Sequence, residues 1–258
     1  MIRNFLKGDK MTSKSGFRYR GVSFSRLEGI TDAVFGFSIT LLVVSLEVPH
    51  TFLELESSMF GFLGFIFAAI ILFIFWNDHY DFFLRYGLED TKTKVLNFIF
   101  IFLMLLYVYP LKFLFNILGT GIFLNIRELF GDKSEAFLLK KEEFNSTMNL
   151  SESELGSLLV SYALGLILIY LVFFFFYKNA LKYKEELELN AIELYETKVK
   201  LYSYPVMMIV PLTSLLIVLL APESLGGYAG TIYCLFGVVI PLYEYLAKKR
   251  MTKLGLLN

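Results

Sequence analysis

Arg26 and Asp32 head a stretch, Arg26 to Pro49, that carries no charge from Ala33 to Leu46. At about 1.5 Å per residue such a stretch crosses the roughly 30 Å of a bilayer's hydrocarbon core. An ion at that depth is costly, so it needs either a partner or a task. Six residues turn a helix through about 600°, which leaves about 120° between the faces of Arg26 and Asp32. They cannot form an i,i+4 pair, so at least one of them reaches a neighbouring helix. The polar residues at matching depth are Trp76, Asn77, Asp78 and His79, which close a second apolar run, and Asn97, which opens a third. Two chemistries fit: an interhelical latch of charge-assisted bonds, or ion and proton handling by Asp32. For a latch to a cation such as Arg26, Asp32→Asn costs about 3 to 5 kcal/mol if the pair is dry and less if water reaches it.

Other chemistry finds little support. His50 and His79 are the two histidines, set at opposite ends of the second run, and there is no HExxH and no cysteine cluster. The run Asn77 to Asp81 offers oxygen ligands, but a helix end in the headgroup zone accounts for it. Cys234 is the single cysteine and cannot form an intramolecular disulfide. No Walker loop, GxSxG elbow or nucleotide fingerprint occurs. No enzyme activity, cofactor or resident metal is expected, and with 24 basic and 24 acidic residues no nucleic-acid partner either. A TVGYG filter is also missing.

The elements that must position these residues are membrane helices. Of the 258 residues, 56% are hydrophobic and 19% charged, with 28 Phe and a mean hydropathy of +0.61, which excludes an ordinary soluble domain. Uncharged runs without β alternation predict an all-α protein with six spans, at residues 26–46, 57–77, 95–118, 155–177, 201–222 and 224–243. A basic arm covers residues 1–25, the six-helix domain 26–247 and a basic tail 248–258. Lys and Arg number six in the arm, three in 78–94, five in 178–200 and four in the tail, eighteen in all, against four in the alternate loops. The positive-inside bias puts both termini in the cytoplasm. Residues 119–154 read as an outer loop with a short interfacial helix at LNIRELFG and a capping box from Ser151 to Glu154. The inner segment 178–200 has Leu187, Ala191, Leu194, Tyr195 and Val199 near helical spacing, so it either extends the fourth span or lies beneath the membrane. Small residues at Gly61, Gly64 and Ala68, and at Gly226, Gly227, Gly230 and Gly237, predict packing seams.

The motif R-L-E-G-I-T-D at Arg26 to Asp32 resembles the R-x-x-x-F-S-D signature of the transmembrane protein 175 family of endolysosomal and prokaryotic potassium channels, with Ile30 for the Phe and Thr31 for the Ser. The continuation A-V-F-G-F-S-I-T-L-L-V, the E-V-P at Glu47 to Pro49, F-W-N-D-H at Phe75 to His79, and Asn97 followed by Pro110 agree with it. The resemblance covers residues 26–112 and takes the prokaryotic form of one six-helix unit.

That resemblance implies a homotetramer whose first helices line a pore, embedded in the cell membrane. The ion pathway would be Phe37, Thr40, Leu41 and Val44, with Ile30 and Ala33 lower on the same side. Arg26, Thr31, Asp32, Trp76, His79 and Asn97 would hold the helices in register. The permeant ion would be K+, with Na+, Cs+ and H+ as further candidates, passing weakly selectively through apolar constrictions. Two other classes stay open: a proton-coupled transporter or proton channel using Asp32, and a non-conducting membrane scaffold. Periodicity alone does not say whether the stripe faces water, lipid or another helix.

Overall fold

The computed structural model describes residues 12–13, 15–43, 50–147, 152–220 and 227–256. Within them the fold is helical: α1 (Arg26–Val43), α2 (Phe52–Tyr86), α3 (Thr91–Leu129), α4 (Glu135–Thr147), α5 (Glu152–Lys182), α6 (Ala191–Leu220), a 3₁₀ stretch (Gly227–Leu235) and α7 (Phe236–Lys253). Five stretches are long and apolar enough to cross a membrane: Gly64–Tyr86, Thr91–Leu129, Glu154–Lys182, Ala191–Leu220 and Ala229–Lys253. The protein is therefore a multi-pass membrane protein. α1 is not among the five; its 18 described residues include Arg26, Glu28 and Asp32.

Aromatic rings from α2, α3 and α5 fill the core, with Phe82, Phe83, Phe100, Phe173, Phe176 and Tyr177 fully buried. α1 packs against α2 and α3, and α6 packs along α5. Gly165 of α5 meets the Tyr107 ring so closely that a Cβ there would lie 2.4 Å from it. Gly165 is not among the small residues singled out in the sequence. Of those that were, Gly64 and Ala68 are buried and Gly230 lies against Leu159, whereas Gly237 faces open space. Gly226 and Ser151 lie outside the described residues.

Two helices run past the ends expected from charge. α2 continues nine residues beyond 77, because Phe82, Phe83 and Tyr86 stay in the core while Asp78 and Arg85 find partners on α6, in Lys200 at 3.2 Å and Glu196 at 2.7 Å. α3 runs on to Leu129, taking in most of the LNIRELFG stretch expected as a separate interfacial helix within the outer loop, and α4 follows at Glu135–Thr147. Phe123 and Leu124 bury against Phe137 of α4, which extends the apolar face beyond Gly119 and Gly121. The segment 178–200 divides: α5 ends at Lys182, and α6 opens at Ala191 after a turn in which Leu187 is buried.

The α2–α3 turn is tight. Gly87 takes φ +55° and donates its N–H to the Phe83 carbonyl at 2.8 Å, a left-handed helix stop. Asp90 caps α3 by accepting from the N–H groups of Lys92 and Thr93. This turn, the α5–α6 turn and the start of α1 lie together at one end of the bundle, joined by hydrogen bonds from Arg20 to Leu84 and to Leu187.

Candidate functional site

α1 begins with a capping box at Ser25 and Glu28. The N–H of Ser25 donates to Glu28 Oε2 at 2.9 Å, and the Glu28 N–H donates to Ser25 Oγ at 3.2 Å. The S-x-x-E pattern was there to be read. From this start, two faces of α1 separate at intervals of three and four residues. Glu28, Thr31, Phe35, Ser38 and Leu42 are buried, with Phe35 5.8 Å from the Phe100 ring. On the opposite side Arg26, Ile30, Ala33, Phe37 and Thr40 are exposed, Phe37 to 57%. No helix of the same subunit covers this second face along the described residues of α1.

Leu41 stands at the border, half-buried against the core, and its carbonyl accepts from Lys112 Nζ of α3 at 3.1 Å. The Thr40 hydroxyl donates to the Gly36 carbonyl at 2.9 Å. Its proton is thereby directed along the helix, and its lone pairs remain for an outside donor or cation. Val44 lies outside the described residues.

The buried face carries a polar chain between three helices. His79 of α2 meets Asn97 Oδ1 of α3 at 2.6 Å, Asn97 Nδ2 donates to Thr31 Oγ1 at 2.9 Å, and the Thr31 hydroxyl donates to the Leu27 carbonyl at 3.0 Å. Since Asn97 Oδ1 only accepts, His79 Nε2 carries the proton in this arrangement. Donation thus runs from α2 to α3 and from α3 to α1, with a longer contact of 3.3 Å from the Thr31 hydroxyl back to Asn97 Oδ1. His79, Asn97 and Thr31 are each at most 1% exposed, and the imidazole stacks on Phe100 at 5.3 Å.

Asp32 is separate from that chain. It is exposed in the subunit, and its Oδ1 accepts from the Trp76 indole at 2.8 Å; Trp76 stacks on Tyr80 at 5.5 Å. Arg26 is exposed on the uncovered face, one end of the stripe that Phe37 and Thr40 continue. Of the six residues expected to form an interhelical network, the structure joins Thr31, His79 and Asn97 in one cluster and Asp32 with Trp76 in another. It does not bring Arg26 to either.

A family model described as the endosomal/lysosomal potassium channel TMEM175 matches residues 26–110, the stretch that holds both clusters. A protein of Marivirga tractuosa named "Potassium channel" is 35% identical over 243 residues, covering 92% of this chain and 93% of the relative. The chain belongs to the TMEM175 family. A crystal structure of a variant of the potassium channel MtTMEM175, bound to a nanobody–MBP fusion, superposes with a TM-score of 0.75 at 34% identity, covering 93% of this chain and 100% of that one. A homologue, from Chamaesiphon minutus, of the lysosomal potassium-selective channel TMEM175 aligns at 18% identity and a TM-score of 0.49 over 87% of this chain and 96% of its own. The two-faced α1 described above is thus the first helix of a TMEM175 chain.

Proposed function

We propose that the protein is a potassium-permeable, weakly selective cation channel of the cell membrane, a homotetramer of six-helix subunits in which the uncovered face of α1 lines the pore. The single observation that carries this is the division of α1. A helix with a packed face of Glu28, Thr31, Phe35, Ser38 and Leu42 presents Ile30, Ala33, Phe37 and Thr40 to something outside its own subunit. Membership in a potassium-channel family makes a pore shared with other copies the occupant of choice.

In such a pore four Phe37 rings form an apolar constriction, which excludes a hydrated ion until α1 rotates or the ring dilates. Thr40, one turn further, offers outward lone pairs to a partly dehydrated K+; Na+, Cs+ and H+ meet the same groups. Leu41, at the border of the two faces, continues the apolar lining. The Thr31–Asn97–His79 chain and the Asp32–Trp76 bond hold α1 in register against α2 and α3, and Arg26 marks its cytoplasmic end, where both termini lie.

Single-channel recording from the purified protein in asymmetric K+ and Na+ tests this. Unitary currents reversing between zero and the K+ equilibrium potential are expected. A silent bilayer with intact protein would favour a scaffold, and a current carried mainly by protons and removed by Asp32→Asn would favour proton handling.

A further inference from the structure

We propose that residues 17–21 of the N-terminal arm form a clamp that sets the resting position of α1, with Arg20 and Glu193 as positioning residues for conduction. This rests on α1 lining the pore.

The clamp is built from four sets of contacts. The backbone N–H groups of Arg20 and Gly21 both donate to the Leu84 carbonyl, at 3.1 and 2.9 Å. Leu84 lies in the last turn of α2, where carbonyls lack an intrahelical donor, so the arm completes that helix end. A Cβ at Gly21 would sit 1.9 Å from the Phe83 carbonyl oxygen, so the approach is open to glycine only. Phe17 is fully buried, edge-on to Tyr86 at 5.7 Å with the Arg85 guanidinium 4.7 Å from its ring centroid. Arg20 Nε donates to the Leu187 carbonyl at 2.8 Å, reaching the α5–α6 turn.

Glu193 is the hub. Its side chain is completely buried, and its carboxylate accepts five bonds of 2.8 to 2.9 Å: from Arg18 N, Nε and Nη2, from Arg20 Nη2 and from the Asn190 N–H. Two guanidiniums on one buried carboxylate exceed what an arm needs simply to rest on the surface, because such a pair holds only with near-complete hydrogen bonding. The clamp also sits next to the helix it steers. Ser25, the cap of α1, is four residues on from Gly21, a reach of at most about 14 Å. α1 can therefore shift along or about its axis only within that tether while Arg18 and Arg20 remain seated on Glu193.

A purely structural arm and a positioning arm differ in what they do to one open channel. Loss of fold changes the number of active channels; loss of position changes how each one gates. The test is full-length channel in planar bilayers, comparing parent, Glu193→Gln, Arg18→Gln and Phe37→Ala at the single-channel level. Glu193→Gln is expected to change open probability about threefold or more, with unitary conductance and reversal potential unchanged. Arg18→Gln, which leaves Arg20 on Glu193 and removes a side chain already 28% exposed, is expected to shift open probability in the same direction by less. Parental open probability in both arm variants, while Phe37→Ala alters unitary current, would overturn the clamp and leave the pore standing. Failure of both arm variants to assemble would make the arm a folding element and equally overturn the proposal. An unaltered unitary current in Phe37→Ala would count against the pore itself.

Discussion

Asn97 and Asp32 illustrate how the same expectation divides once distances are known. Sequence position suits both to one charged latch, yet Asn97 sits in a dry chain with His79 and Thr31, while Asp32 is exposed in the subunit and bonded to a neutral indole. Asn97→Ala strands the His79 Nε2–H and alters Thr31, and is expected to cost about 1 to 3 kcal/mol. Asp32→Asn keeps an amide oxygen for Trp76 and leaves no buried cation behind within the subunit, so its cost is expected below about 1 to 1.5 kcal/mol, not the 3 to 5 of a dry ion pair. Thermal melting of the two variants in detergent orders them; a larger loss for Asp32→Asn would mean that another copy dries its carboxylate. Phe37 belongs to the opposite face of α1 and to a different readout. Phe37→Ala is expected to raise unitary current several-fold at unchanged expression, since the apolar ring is the barrier to a hydrated ion. If Leu41→Ala raises the current and Phe37→Ala does not, the constriction lies one turn further along α1.

At the scale of elements, the helices were legible from uncharged runs, but their ends were not. Charge at Asp78, Asp81 and Arg85 signalled an exit from the membrane, which is independent of an exit from the helix: α2 continues because its charged face pairs with α6 and its aromatic face stays packed. The same confusion of polarity with loop hid α4 and the continuity of the LNIRELFG helix with α3. Motifs that needed only local spacing, such as Ser25-x-x-Glu28, were readable; the arm was not, since Arg18 and Glu193 lie 175 residues apart. The α2–α3 turn yields a prediction of its own. Burial pushes the Asp90 carboxyl up, but bonds from the Thr93 hydroxyl, Asn179 Nδ2 and the N–H groups of Thr93 and Lys92 outweigh it and hold it below its ordinary value of 3.8. A folded value below the unfolded one adds stability that is fully present above pH 3.8 and is lost as pH falls beneath it. Asp90→Asn, which can still cap α3, is therefore expected to melt modestly below the parent at pH 7, with the gap closing as pH is lowered past that value. A gap independent of pH would mean that the cap, not the charge, is what Asp90 contributes.

For the whole molecule, the side-chain contacts fix which ends of the helices lie together but leave the direction across the membrane to charge. The arm, the α2–α3 turn, the α5–α6 turn and the end of α7 share one end, tied by Arg20 to Leu84 and Leu187 and by Tyr195 Oη to the Ala247 carbonyl at 2.8 Å. The stretches of sequence that contain them, residues 1–25, 78–94, 178–200 and 248–258, hold eighteen of the 24 Lys and Arg residues, of which Arg3, Lys7, Lys10 and Lys14 lie outside the described residues. The positive-inside bias acts on that grouping as a unit, so this end is expected in the cytoplasm and the α3–α4 turn outside. The far side holds only four basic residues, Arg127, Lys133, Lys140 and Lys141, too few to offset eighteen; Arg127 pairs with Asp132 at 2.7 Å and Lys141 with Glu128 at 2.6 Å. Cysteine accessibility in intact cells reads the direction once Cys234 is replaced by Ser. Ser134→Cys, exposed beside the α3–α4 turn, is expected to react with a membrane-impermeant thiol reagent. Glu186→Cys, exposed in the α5–α6 turn, is expected to react only after the membrane is opened; it is a better site than Asn190, whose Oδ1 accepts the Glu193 N–H and so caps α6. The reverse labelling would invert the topology, placing the arm and its Glu193 clamp outside and turning the Phe37 stripe end for end relative to the K+ gradient.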